Sequence, residues 1–418
     1  MNAASLLTAF FLAALSLGAV LRLWLAYRHY RHIGAHRDQV PFAFAASVPL
    51  ADHRKAADYT RAKIRLSVAL LVCETLLLLA FTLGGLLDWL DRAWFGILAA
   101  RGYAHGLALF ASVAVIGFLV DLPFTLYRVF VIEAHFGFNK MTWRLAAADF
   151  AKQAVLAVVI GAPLLLAVLW LMSAMGERWW LYVWLFWLAF NLLVMLIYPT
   201  LIAPLFNKFS PLEEGDLKTR IEALLERCGF AASGLFVMDG SKRSAHGNAY
   251  FTGLGRAKRI VFFDTLIQKL TPPQVEAVLA HELGHFRHRH IWKRIGVFAL
   301  ATLGLLWLLG RVIDAPWFYQ GLGVRTGSTA MALILFVQVL PVFLFPLMPV
   351  ASGLSRRHEF EADAYAARHA GAGDLVAALV SLYRDNAATL TPDPLHSSFY
   401  DSHPPASLRV ARLRDCAS

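Results

Sequence analysis

His281, Glu282 and His285 stand in the run HELGHFRHRH, positions 281 to 290. Two histidines four residues apart lie one helical turn apart and project from one face. Their imidazoles can converge on a single ion, and H-E-x-x-H is the spacing of zinc hydrolases. Glu282 is rotated by about 100° from His281, beside such an ion instead of on it. From there its carboxylate can take a proton from a water whose pKa zinc lowers toward ~7. A catalytic zinc needs a third protein ligand and an open fourth position.

The third ligand is not adjacent. The extended pattern H-E-x-x-H-x-x-G-x-x-H would need glycine at 288 and histidine at 291, where this chain has His288 and Ile291. His288 lies on the histidine face but about 10 Å along the axis from His281. It and His290 therefore read as cleft or surface histidines. Downstream, SRRHEFEADAYAARH places Glu359 and Asp363 four residues apart on one helix face, with Glu361 pointing elsewhere. Glu359 can complete a His2Glu site while Asp363 orients a ligand histidine. An ion pair of Glu359 with Arg356 or Arg357 at the surface fits the same spacing, and the residues alone leave both readings open.

These groups need a scaffold. TPPQVEAVLAHELGHFRHRH begins as a helix, with Thr271 as N-cap, Pro272 at the first position and Gln274 closing a capping box. Val275, Val278, Leu279, Leu283 and Phe286 form an apolar stripe away from the histidines. Upstream, SPLEEGDLKTRIEALLERCGF is an amphipathic helix with Ile221, Leu224 and Leu225 on one face. GLFVMDGS predicts a strand and turn. NAYFTG and RIVFFD, separated by LGRAK, predict a hairpin.

The rest of the chain is built for lipid. Of 418 residues, 58% are hydrophobic and 16% charged, against about a quarter charged in soluble domains. The apolar residues come in long blocks. Seven reach the ~20 residues that cross a bilayer: 3–26, 64–90, 105–131, 151–174, 179–204, 291–313 and 329–350. The first is too long for a signal peptide core and has no basic flank before it, so it reads as a retained helix. Arg28, Arg31, Arg37, Arg54, Lys55, Arg61 and Lys63 fill the first loop, and Arg128, Lys140, Arg144 and Lys152 the third. That asymmetry puts the N-terminus outside and both large polar segments in the cytosol. It also accounts for the net charge of +11 without nucleic acid, for which no recognition motif is present. Three dispersed cysteines, Cys73, Cys228 and Cys416, support neither a disulfide framework nor a thiolate metal site. Glu74 and Asp121 fall inside spans, where acids face a polar interior or pair between helices.

HELGH and LSRRHEFEADAYA together resemble the type I CAAX prenyl endopeptidases, a family of membrane zinc metalloproteases. Further blocks carry the resemblance: FVIEAHFGFNKMT (130–142), YPTLIAPLFNKFSPL (198–212), GSKRSAHGNAYFTGLGRAKRIVFFDTL (240–266) and SHPPASLR (402–409). The resemblance implies one zinc ion per chain on His281, His285 and Glu359, with Glu282 as general base and Asp363 in support. It implies substrate or transition-state contacts for His403 and Arg409, and contact of Asn248 and Ala249 with substrate backbone at an exposed strand edge. Without it, His403 is a loop histidine before two prolines and HGNAYF an ordinary strand.

The expected fold is an all-α polytopic membrane protein, its seven helices around a water-filled chamber, with a small α+β gluzincin-type metalloprotease domain. The expected divisions are 1–204 for the first five spans, 205–290 for the protease domain, 291–350 for the last two spans and 351–418 for a C-terminal cytosolic segment. The expected substrate is a peptide or protein with a C-terminal prenylated CAAX sequence, met at the lipid bilayer. A quality-control protease acting on unprenylated membrane proteins, and a channel or transporter with structural zinc, are the alternatives. Ala-, Leu- and Arg-rich composition favours a bacterial inner membrane, with the endoplasmic reticulum as the eukaryotic counterpart.

Overall fold

Seven helices are long and apolar enough to cross a membrane: Ala3–Ala35, Leu50–Phe81, Tyr103–Glu133, Trp143–Ala174, Gly176–Phe206, His290–Val312 and Thr329–Asp385. The computed structural model describes residues 2–252 and 259–415. The predicted LGRAK turn and Cys416 lie outside the described residues. The seven helices match the seven predicted blocks, but their ends differ. The second helix starts at Leu50 instead of 64, because its first turns, rich in Ala, Lys, Arg and Asp, are water-compatible helix formers. It stops at Phe81 instead of 90. Gly85, at φ 76°, turns the chain into the separate helix Leu86–Leu98. The first and seventh helices also run on past their apolar blocks.

The seventh is the consequential case. Its apolar part passes through a short 3-10 turn at Phe345–Leu347 and continues as Met348–Ala366, which carries Glu359 and Asp363. One run of helix thus spans the membrane and delivers two acids to the protein's polar end.

That end holds a four-stranded sheet in the order β1-β2-β4-β3. The strands are β1 Phe209–Pro211, β2 Gly234–Met238, β3 Ala249–Thr252 and β4 Arg259–Phe263. β2 and β4 are parallel, and the other pairs are antiparallel. The predicted hairpin is β3 and β4, in register Ala249 with Phe262 and Tyr250 with Val261. β1 was not anticipated: three residues ending in proline carry no alternation to read. The predicted face Ile221, Leu224 and Leu225 is buried, packed with Ile260, Phe262, Val275, Leu279 and Leu283.

The two ends of the bundle are distinct. At one, Thr8 donates to the Gly321 carbonyl, the Arg325 amide donates to Asp88, and Tyr103 meets Ser173. At the other, Arg243, beside the sheet, forks onto Asp149 of the fourth span at 2.8 and 2.9 Å and donates to Asn207 Oδ1 at 2.8 Å. A cavity of about 770 Å³ lies between the first, second and seventh spans, and Arg22, Lys63 and Glu74 line it. Asp121 instead accepts a hydrogen bond from Thr125 one turn on.

The Arg243–Asp149 pair is mostly buried. Removing one partner of such a pair strands the other charge, at a cost of about 3 kcal/mol. Arg243→Met is expected to lower the unfolding midpoint of the purified protein in detergent, with Arg243→Met/Asp149→Leu recovering part of the loss. An unchanged midpoint for the single variant would show that the pair does not fasten the two parts.

Candidate active site

The helix Pro272–Arg287 begins as its sequence requires. Thr271 and Gln274 form the capping box, and the Thr271 amide donates to Gln274 Oε1 at 3.0 Å. Ten residues further on, His281 and His285 leave the same face. Their helix lies directly against Met348–Ala366, and Gly284 makes that approach possible. A Cβ built on Gly284 would sit 2.8 Å from the Ala362 Cα and 3.1 Å from its carbonyl oxygen.

This contact brings His281, His285 and Glu359 together. Their nearest donor atoms form a triangle with edges of 3.3 Å (His281 Nε2 to His285 Nε2), 3.5 Å (His281 Nε2 to Glu359 Oε2) and 3.4 Å (His285 Nε2 to Glu359 Oε1). Ligands at ~2.0–2.1 Å in a tetrahedron stand about 3.3–3.4 Å apart. The donor set therefore fits a divalent metal ion, and among the described residues these three form the one such group.

Behind the ligands the partners are ordered. His281 Nδ1 lies 2.9 Å from Asp363 Oδ1. With Nε2 turned to the metal position, Nδ1 carries the proton and donates it to Asp363. Arg409 is buried, and it grips Asp363 through Nε at 2.8 Å and Nη2 at 2.6 Å. Its Nη1 is 3.8 Å from Glu359 Oε2. His403, more than half exposed, lies with Nδ1 2.6 Å from the same Glu359 oxygen and donates to it. Glu282 makes no hydrogen bond or ion pair among the described residues, which leaves its carboxylate available. Burial pushes its pKa above the usual carboxylate range, making it a stronger base once ionised.

The protease sheet offers an edge. β3 is the last strand, and the exposed Asn248 precedes it. The Ala249 amide donates to Asn248 Oδ1 at 2.9 Å instead of to β4. Phe251 stacks edge-on against Phe286, the residue after His285, with ring centroids 5.0 Å apart. The edge strand is thereby fastened to the ligand helix.

Of the residues singled out from sequence, the structure gathers His281, Glu282, His285, Glu359, Asp363, His403 and Arg409 in one place. Asn248 and Ala249 lie on the neighbouring edge. Arg409, expected to contact substrate, is instead buried, bonded to Asp363 and with Nη1 3.8 Å from Glu359 Oε2. His290 differs from expectation: it is fully buried, with Nδ1 2.9 Å from His285 Nδ1. Gly284 and His290 escaped sequence reasoning, since neither a helix–helix approach nor a break in helical phase shows in spacing.

Comparison with known proteins gives the family. Residues 29–208 match the family model for the CAAX prenyl protease N-terminal region with five membrane helices, and residues 211–417 match peptidase family M48. The chain belongs to the CAAX prenyl protease 1 branch of the M48 metallopeptidases. It is 38% identical over 344 residues to the CAAX prenyl protease 1 homolog of Arabidopsis thaliana, covering 79% of each chain. It is 33% identical over 421 residues to CAAX prenyl protease 1 of Saccharomyces cerevisiae, covering 93% of this chain and 91% of the relative. The crystal structure of S. mikatae Ste24p superposes with a TM-score of 0.89 at 32% identity, covering 99% of both chains. The protein is thus a multi-pass membrane metalloprotease, which sets aside the channel or transporter alternative.

The site's protonation bears on metal uptake. Burial works to lower the His281 pKa, but hydrogen bonds to Asp363 and Glu359 outweigh it and raise the value to about 9. Burial lowers His285 to about 3. At neutral pH the incoming ion must displace the His281 proton, whereas His285 is already neutral. Metal affinity is therefore expected to rise roughly tenfold per pH unit between pH 6 and 8, with about one proton released per ion. Buffered metal titrations at three pH values check this, and a flat affinity would refute it.

Proposed function

We propose that the protein is a zinc endopeptidase cutting near the C-terminus of CAAX-type proteins, with the substrate's prenyl group held on the membrane side of the site. The observation that carries this reading is the His281–His285–Glu359 triangle, formed where one membrane helix begins and another has just emerged. Two imidazoles, one carboxylate and a free fourth position suit zinc. When bound, zinc would supply Lewis acidity to the attacking water and the scissile carbonyl.

The chain's own residues do the rest. Glu282 takes the proton of the attacking water and hands it to the leaving amine. His403 is held at the rim by its Nδ1–H bond to Glu359, and in its imidazolium form its Nε2–H can also donate to the oxyanion of the tetrahedral stage. Arg409 acts at one remove, holding Asp363 so that Asp363 holds His281. Asn248 and Ala249 take the substrate backbone as an added strand along β3, the Ala249 amide exchanging Asn248 Oδ1 for a substrate carbonyl. The basic first and third loops support a cytosolic position for the site, with the N-terminus outside. The divisions at 204, 290 and 350 then separate membrane from cytosolic segments.

Glu282→Gln is expected to keep one zinc per chain yet lose roughly a hundred- to ten-thousandfold in peptide cleavage, the scale of a lost general base. Metal analysis alongside a fluorogenic assay measures both, and cleavage by the variant at the wild-type rate would refute the mechanism. A farnesylated CAAX peptide is expected to be cut faster than its unprenylated twin. Equal rates would favour the quality-control reading.

A further inference from the structure

HELGH is followed by five residues, FRHRH, that the zinc motif does not use. The helix ends at Arg287, Arg289 adopts φ 56°, and the sixth span starts at His290. An uninterrupted helix would rotate residue 290 about 140° away from residue 285. The left-handed turn at Arg289, a conformation that side chains other than glycine rarely adopt, cancels that rotation and returns His290 to the ligand face.

His290 is completely buried there, and both its ring nitrogens are engaged. Nδ1 is 2.9 Å from His285 Nδ1, and Nε2 is 2.8 Å from Glu361 Oε2. The protons can be arranged in one way if His285 is a ligand. Its Nε2 faces His281 and Glu359 and must keep its lone pair, so Nδ1 carries the hydrogen. His290 Nδ1 then accepts, its Nε2 carries the second hydrogen, and Glu361 accepts that. The His358 ring stacks on His290 at 4.0 Å, and Lys293 Nζ lies 4.0 Å from Glu361 Oε2. The chain is therefore clamped between two membrane-linked helices, His290–Val312 and Met348–Ala366.

We propose that His290 is a positioning residue for the ligand His285, acting through a Glu361–His290–His285 hydrogen-bond chain. His281 has its own carboxylate, Asp363, in direct contact. His285 has none and reaches one through an intervening imidazole. Each ligand imidazole then ends on an anionic acceptor, which fixes its tautomer and strengthens it as a donor. Glu361, which seemed to point away from the site, acts on it from 71 positions down the chain, as Asp363 does from 82 after His281. The proposal rests on the metal-site reading above.

The test uses the full-length protein in detergent. Zinc affinity is measured by chelator competition, and the cobalt-substituted protein by its visible ligand-field spectrum. His290→Phe fills the volume without a nitrogen. It is expected to weaken zinc binding roughly 10- to 100-fold and to shift the cobalt bands. His290→Gln, whose amide can accept from His285 and donate to Glu361, is expected to restore most of the affinity. Glu361→Gln, at a half-exposed position, is expected to weaken binding less than His290→Phe does. It also keeps the proposal testable should the phenylalanine variant fold poorly. In a His285→Ala background, His290→Phe is expected to change affinity no further, because its action runs through His285. Wild-type zinc affinity and cobalt bands in both His290→Phe and Glu361→Gln would overturn the proposal while leaving the metal site standing. A wild-type protein that binds no zinc would overturn both.

Discussion

The site depends on one close approach. His281 and His285 belong to a helix that begins in the polar domain, whereas Glu359 belongs to the helix that continues the seventh span. A metal site joining them needs the two axes close enough for an imidazole and a carboxylate to meet. Gly284, about 60° around the helix from His281, removes the side chain that would otherwise strike Ala362. The second variable position of the motif is therefore constrained by packing, whereas the chemistry uses only its neighbours. The buried Val275, Leu279 and Leu283 hold the other side of the same helix in the protease core. The ligand face is thus pressed against the membrane-linked helix from behind.

Gathering acids in that interface has an electrostatic cost. Glu359 and Asp363 are each about nineteen-twentieths buried, and two carboxylates so placed repel one another as well as losing water. Arg409 answers both problems. Its planar fork matches Asp363 bidentately, and its third nitrogen stands near Glu359. This explains why the C-terminal helix Ala406–Asp415 must return to the site although it brings no metal ligand. It also separates two residues that a motif-level reading treats alike. His403 is more than half exposed at the rim, whereas Arg409 is buried against Asp363 behind the His281–His285–Glu359 cluster.

The parts most legible from sequence were those governed by period and composition. Hydropathy located seven spans because lipid imposes a minimum apolar length. The capping box located the start of the ligand helix, and four-residue spacing paired His281 with His285 and Glu359 with Asp363. The misreadings share one cause. Hydropathy marks where a helix touches lipid, not where it ends, so the second helix begins before its apolar block and the seventh runs on past its own. Phase arithmetic assumes an unbroken helix, so a left-handed residue at Arg289 hid His290. Nothing in FRHRH announces that break, since arginine carries no preference for positive φ. The resemblance to a known family favoured Glu359 over a surface ion pair, a choice that spacing left open.

The break at Arg289 also bears on how a hydrolytic site sits beside lipid. A straight continuation from HELGH into the sixth span would make ligand helix and membrane helix one rod. Any tilt of the span would then swing His281 and His285 relative to Glu359. The left-handed turn decouples the two axes, and His290 reconnects them at one point, through a hydrogen bond to His285. On the other strand of the interface no such break occurs: after the 3-10 turn at Phe345–Leu347, helix Met348–Ala366 runs on from the seventh span to Asp363 and beyond. The metal site therefore has one ligand helix continuous with the membrane and one hinged from it. In such an arrangement the glycine contact at 284 and the bond at His290 carry the registration between them, which gives both a strong reason to be close and well aligned.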